Sequence, residues 1–174
     1  MADQEFSPKD TFKQCVQIGV VVRDLDRSIQ ALTEIFGMGP FRSIEWPPEG
    51  RQMDKIYHGQ PGDFTARMAF TELGSVELEL IQPVSGQSIW ADFLAERGEG
   101  IHHIRFNVLD LDPVIEYLAS PDVPVAQMGS GLRPGTVWAN FDSADKVGFV
   151  IEAMKMVAGT DGRTPQFVDG KVRS

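Results

Sequence analysis

Residues 17–25 read QIGVVVRDL and residues 103–111 read HIRFNVLDL. The two stretches register at a constant offset of 86 residues, position 17 with 103 and position 24 with 110. Each continues with an aspartate, Asp26 or Asp112, and then with a helical pattern in which Ile29 matches Ile115 and Leu32 matches Leu118. A run of matches at one offset, with the same strand-then-helix pattern, marks a duplicated unit.

Working outward, each unit reads as a strand, a helix and three further strands. The first helix carries Leu25, Ile29, Leu32, Ile35 and Phe36 as its apolar positions and ends at Gly37. In the second, Asp112 is placed as N-cap and Pro113 at the first helical position, and Pro121 stops the helix. The further strands are expected at 41–46, 64–71 and 75–82, then at 123–128, 135–141 and 147–154. The chain divides into a first βαβββ module (13–85) with a loop insertion at 47–63, a linking helix (86–100), a second module (101–156) and a polar, mobile tail (157–174). The insertion is elongated enough to serve as a lid, or to be a solvated loop. Trp46, Tyr57 and His58 lie on or near it. The fold class is α+β: paired βαβββ modules in one cupped, mostly antiparallel sheet.

Alternation of side chains decides which residues meet. On 17–22, Ile18, Val20 and Val22 share one face and Gln17, Gly19 and Val21 the other. On 103–108, Ile104, Phe106 and Val108 oppose His103, Arg105 and Asn107. The apolar faces belong against the helices, so Gln17 and His103 look the other way from equivalent positions. In SVELELIQP (75–83), Glu77 and Glu79 alternate with leucines, and in GFVIEAM (148–154) Glu152 stands in an apolar strand. A lone carboxylate there is costly unless paired, hydrogen-bonded or bound to a cation. The repeat sets Gln17 against His103 and Glu79 against Glu152. Two carboxylates, an imidazole and an amide oxygen suit a divalent ion with open positions. Such an ion polarises a carbonyl and stabilises an enolate. Glu77 competes with Glu79, because a bulge would exchange them. Trp138 and Asn140 are expected to face the cavity as substrate contacts.

Composition bounds the function. The 174 residues suffice for one domain, or for two halves that share a core. The net charge of −9 disfavours phosphate backbones and anionic lipid, so neither nucleic acid nor membrane is an expected partner. A single cysteine, Cys15, allows no intrachain disulfide and suits a reducing compartment. MADQEFSPKD at the start has no apolar signal region, and no apolar run approaches the roughly 20 residues of a membrane span. The expected location is the cytoplasm.

These stretches resemble the vicinal-oxygen-chelate superfamily, which includes glyoxalase I, methylmalonyl-CoA epimerase, extradiol dioxygenases and bleomycin-resistance proteins. GIHHIRFNV (100–108) is similar to the epimerases' GIHHIAF stretch, VELELIQPV (76–84) to their VELLEP, GFVIEAM to their GVLIEL, and VVVRDLDRSI (20–29) to the first β–α turn. The resemblance puts His103, Glu79 and Glu152 on ligand positions, leaves His102 structural, and sets Gln17 where epimerases usually carry His and some glyoxalase I enzymes carry Gln. It departs at Arg67, aligned where many epimerases hold a second catalytic glutamate, and at Arg105, which replaces a small residue. Both arginines are then candidates to bind a substrate carboxylate or phosphate; alternatively Arg105 pairs with Glu77 or Glu79 and fills the metal site.

The resulting expectation is a metal-dependent isomerase, epimerase or lyase acting next to a carbonyl. Gln17, Glu79, His103 and Glu152 hold a divalent ion (Co, Ni, Zn, Mn or Mg), and Glu152 or Glu79 serves as general base to an enediolate-like intermediate. Arg67, Arg105, Asn107, Trp138 and Asn140 contact a small acyl thioester or hydroxy-carbonyl substrate, an acyl-CoA by analogy alone. The alternatives are a glyoxalase I and a non-catalytic ligand-binding protein of the bleomycin-resistance type. The resemblance also implies a homodimer.

Overall fold

Strands hold more residues than helices in the computed structural model, which describes residues 6–157 and the backbone of 166–168 and 171–173. In chain order the elements are α1 (Pro8–Thr11), β1 (Gln17–Val21), α2 (Leu25–Phe36), β2 (Arg42–Trp46), β3 (Lys55–Tyr57), β4 (Gln60–Pro61), β5 (Thr65–Leu73), β6 (Val76–Ser85) and α3 (Ile89–Glu96). Then come β7 (Gly100–Val108), α4 (Asp112–Ala119), β8 (Val125–Ser130), β9 (Val137–Phe141), α5 (Ala144–Val147), β10 (Val150–Lys155), β11 (Gln166–Val168) and β12 (Lys171–Arg173). β11 and β12 pair with each other. The rest of the tail expected at 157–174 lies outside the described residues.

Ten strands form one mixed, curled sheet in the order β2-β5-β6-β1-β7-β10-β9-β8-β3-β4. β1 runs parallel to β6 and β7 parallel to β10, while β1 and β7 are antiparallel at the join between the two halves. The other pairings in this sheet are antiparallel. The mostly antiparallel α+β fold expected from the repeat is what forms.

α2 and α4 cover the outer face. α2 starts where the Asp24 side chain accepts from the Arg27 amide at 3.0 Å, and it stops at Gly37, whose φ of 68° is the left-handed conformation glycine adopts cheaply. Its Leu25, Ile29 and Leu32 pack with Val22, Ala69, Leu78 and Leu80. Burying such a side chain contributes about 1.5–3 kcal/mol, so Leu80→Ala is a change this layer would feel. Ile35 and Phe36, read as apolar positions of this helix, are exposed at its last turn, beyond the sheet's reach. α4 covers the second half through Val114, Ile115 and Leu118 against Ala139, Phe141 and Ala153. Asp112 is not its N-cap: it is already helical, and Leu111 holds the cap position without a side-chain bond.

The insertion at 47–63 is not a free loop. It folds into the β3–β4 hairpin, and β3 pairs with β8 and extends the sheet. The Tyr57 hydroxyl donates to Asp92 at 2.7 Å, and Met53 is buried in the inner core. His58, suggested as a cover for the site, is exposed at a φ of 45°.

Candidate functional site

The four central strands of the sheet, β6, β1, β7 and β10, each supply one of the four residues set together by the repeat. Gly19 explains how they meet. It stands opposite Glu79 on one side and His103 on the other. A Cβ built on Gly19 would lie 2.0 Å from Cε1 of His103, so only glycine leaves room for that ring. The imidazole lies across β1, and its Nε2 stands 3.4 Å from Oε2 of Glu79 and 3.4 Å from Oε2 of Glu152. His103 is fully buried, and both glutamates are almost so. Of the two competing glutamates, Glu79 therefore faces the histidine.

Glu77 has another task. It accepts from Nε2 of Gln17 at 2.7 Å, with Arg42 at 3.6 Å and Arg105 at 3.8 Å. This bond fixes the orientation of the Gln17 amide, and its oxygen, Oε1, is buried without a partner among the described residues. His103 Nε2 is likewise without a hydrogen-bond partner. Behind it, Nδ1 lies 3.0 Å from Nδ1 of His102, whose ring packs edge-on against Phe93. His103 can offer a lone pair at Nε2 only when its Nδ1 carries the proton and donates to His102.

Burial shapes the electrostatics. It pushes the Glu79 carboxyl from 4.5 up to about 8, against the opposing pull of Arg105. Glu152 is also pushed up by burial, but His103, Arg105 and a hydrogen bond from Asn140 hold it back. That bond is 3.1 Å long. Burial lowers both His103 and His102, keeping the pair neutral at ordinary pH.

The donor set fits a divalent cation. Two ligands each about 2.1 Å from a tetrahedral ion stand about 3.4 Å apart, which is the separation of His103 from both carboxylates. Two buried, electron-rich atoms without partners are what a cation would complete. Among the described residues no group of three His, Cys, Asp or Glu side chains forms a finished metal cage. The fit is thus one of donor type, burial and the two edges at His103.

These carboxylates stand in the wall of a pocket enclosing about 570 Å³ of empty space, its open mouth included. Trp46, Phe70, Trp90 and Trp138 with Met68 and Met154 give it an apolar lining, and Arg105 adds a cation. Trp138 and Arg105 thus lie where expected. Asn140 acts one step back, on Glu152.

Arg67 does not reach the pocket. Alternation on β5 turns Ala66, Met68 and Phe70 inward and Arg67 outward, where it pairs with both carboxylate oxygens of Asp26 at 2.9 and 3.0 Å and with Glu45 at 3.4 Å. Asn107 lies further along β7, in a separate groove beside α1 with Phe6 and Pro113. Trp90 and Phe70 were missed in the sequence. Trp90 sits in the linking helix, where one tryptophan reads as packing, and Phe70 reads as core. The partial alternation around β5 was the available signal for Phe70.

Comparison with known proteins agrees with this fold. The chain shares 49% identity over 39 residues with the uncharacterized protein YqjC of Bacillus subtilis (strain 168), a match spanning 22% of this chain and 28% of that protein. The fold is similar to a hypothetical protein of Bacillus halodurans C-125, at a TM-score of 0.59, 20% identity, and coverage of 86% of this chain and 98% of the other. It is also similar to a variant of the Streptomyces coelicolor methylmalonyl-CoA epimerase solved with 2-nitronate-propionyl-CoA, at a TM-score of 0.55, 21% identity, and coverage of 83% and 95%. No helix among the described residues is long and apolar enough to cross a membrane. The family model described as glyoxalase/bleomycin resistance protein/dioxygenase superfamily matches residues 16–139, all of the first half of the repeat and the second as far as β9, and the chain belongs to that superfamily.

Proposed function

We propose that the protein is a metal-dependent isomerase, epimerase or lyase that moves a proton on the carbon next to a carbonyl. The observation that carries this reading is the pair of buried carboxylates converging on Nε2 of His103 in the wall of an apolar pocket. Gln17, Glu79, His103 and Glu152 would hold a divalent cation, which when bound supplies Lewis acidity toward a carbonyl oxygen. Glu77 fixes the Gln17 amide so that its oxygen is the atom presented, and His102 fixes the His103 ring.

The proton falls to Glu79. Its cross-strand neighbour is Phe70, which has no hydrogen bond to give, whereas Glu152 receives one from Asn140. Glu79 thus has, besides the oxygen toward His103 and the cation, a second carboxylate oxygen to offer the substrate. It takes the proton from the carbon next to the carbonyl and returns it there or to the neighbouring atom, so nothing is consumed. The apolar lining keeps water away from that carbon. A small acyl thioester or a hydroxy-carbonyl compound is the substrate class, the thioester favoured by the epimerase-like fold.

The first test is metal content after loading with mixed divalent ions and desalting, beside Glu152→Ala. Near-stoichiometric metal that vanishes in the variant supports the site; none in either protein sinks it. Loaded protein should then exchange deuterium next to the carbonyl of acyl-CoAs or hydroxy-ketones, and methylglyoxal with glutathione separates the glyoxalase I variant of this reading. The indole-rich lining favours a second reading, a ligand-holding protein, which predicts saturable binding without exchange.

A further inference from the structure

All three tryptophans of the chain, Trp46, Trp90 and Trp138, line the pocket that holds Glu79 and Glu152. They arrive from three separate segments: the end of β2, the first turn of α3, and β9. Their ring centroids lie 5.6–6.1 Å apart, and they pack on one another at steep or tilted angles. The indoles therefore brace each other and form a fixed apolar wall that loses little freedom when a ligand lands on its exposed edge. Proton transfer next to a carbonyl does not require such a wall.

Two donors among the pocket residues add direction. Nε1 of Trp90 and Nε of Arg105 are buried and have no hydrogen-bond partner among the described residues. Their residues are only 3% and 6% exposed. A buried donor without an acceptor is costly, and a ligand that brings acceptor oxygens removes the cost. Both groups donate only, so both ask for oxygen.

We infer that the carbonyl substrate bears an aryl ring. Its flat ring lies against the indole wall, and its neighbouring oxygens meet Trp90 and Arg105 beside Glu79 and Glu152. The reacting end rests on the proposed function, whereas recognition of the ring needs no metal. Trp90 and Arg105 become specificity-determining residues.

Because every tryptophan of the chain lines this pocket, intrinsic fluorescence reports its occupancy without a label. The full-length protein is titrated with benzoylformate and with pyruvate, which share their oxygens and differ in phenyl against methyl, and each Kd is checked by calorimetry. Benzoylformate should bind about 10- to 100-fold more tightly, which is what burying one phenyl ring contributes. Trp90→Phe keeps a ring and removes the N–H, and should weaken benzoylformate about 5- to 10-fold with an unchanged circular dichroism spectrum. Equal affinity for the two acids, or no saturable response to benzoylformate, overturns the inference. A Trp90→Phe variant that binds as well as the wild type overturns the role of Trp90. Ring preference in a protein that takes up no metal would sink the proposed function and leave this inference standing. Metal uptake without ring preference would do the reverse.

Discussion

The two halves of the sheet present the same carboxylate in different company. Glu79 on β6 and Glu152 on β10 occupy equivalent positions, and each approaches the same imidazole nitrogen at 3.4 Å. Their cross-strand neighbours differ. Phe70 stands opposite Glu79, and Asn140 stands opposite Glu152. Burial drives both carboxyls up, yet only Glu152 has a donor to offset it. Duplication thus builds a nearly symmetric cradle, in which His103, Arg105 and, as the smallest contribution, the bond from Asn140 hold the Glu152 carboxyl back against burial. The same asymmetry appears one step along, where Gly19 and Arg105 share an equivalent position. The glycine makes room for the ring, whereas the arginine lines the pocket and approaches Glu77.

The comparison breaks most completely at Gly19. In Gly19→Ala the added carbon must push the His103 ring off both carboxylates, because the ring is buried on every side. Metal retention after desalting should fall at least about 100-fold, with a lower melting temperature, whereas Gly37→Ala, with open space at its Cβ, should keep its metal. An unchanged metal content in Gly19→Ala would show that the observed ring position is not the working one.

Replacing Asn140 by leucine makes the second half resemble the first. Metal affinity measured by calorimetry should fall about 10-fold, in the range usual for loss of a ligand's supporting hydrogen bond. The titration of Glu152 should move further up once this bond is lost. Equal affinity in Asn140→Leu would mean that the bond from Asn140 does not differentiate the carboxylates.

Acidity sharpens the same contrast in metal-free protein. A carboxyl raised from 4.5 to about 8 by folding gives stability that is complete below pH 4.5 and is lost as the pH rises through about 8. His102 and His103, lowered by burial, act in the opposite sense: their share is present above pH 6.5 and is lost as the pH falls through their lowered values. Chemical denaturation between pH 7 and 9, where both histidines are already neutral, should therefore show wild-type stability falling with pH and Glu79→Gln nearly flat. Parallel slopes for the two proteins would remove Glu79 as the cause. The smallest effect belongs to Arg67. Its pairing with Asp26 is at the surface, so Arg67→Ala should change stability by no more than about 1 kcal/mol and leave metal content and benzoylformate affinity alone. A loss of either would return Arg67 to the site.

Much of this was legible in residue order. The repeat, its helices and the inward faces of Gln17, His103, Glu79 and Glu152 follow from alternation and from a constant offset, both of which are local properties. Ile35, Phe36 and Asp112 departed from expectation because helix ends depend on what lies beyond them. Arg67 and Asn107 departed because each sits on a correctly recognised strand, while which face is inward, and how far along it the pocket reaches, depends on neighbouring strands.

The sequence by itself determined a duplicated strand–helix unit with one chemically unusual face, because side-chain period and repetition are written along the chain. Only the tertiary structure decided that Glu79 and not Glu77 meets His103, that Gly19 is the space the imidazole needs, and that Trp46, Trp90 and Trp138 form one wall. Those outcomes depend on the register of β1 against two neighbours at once and on the curl of the sheet. Both are long-range, because pairings between residues far apart in the chain set them and no local pattern of residues encodes them.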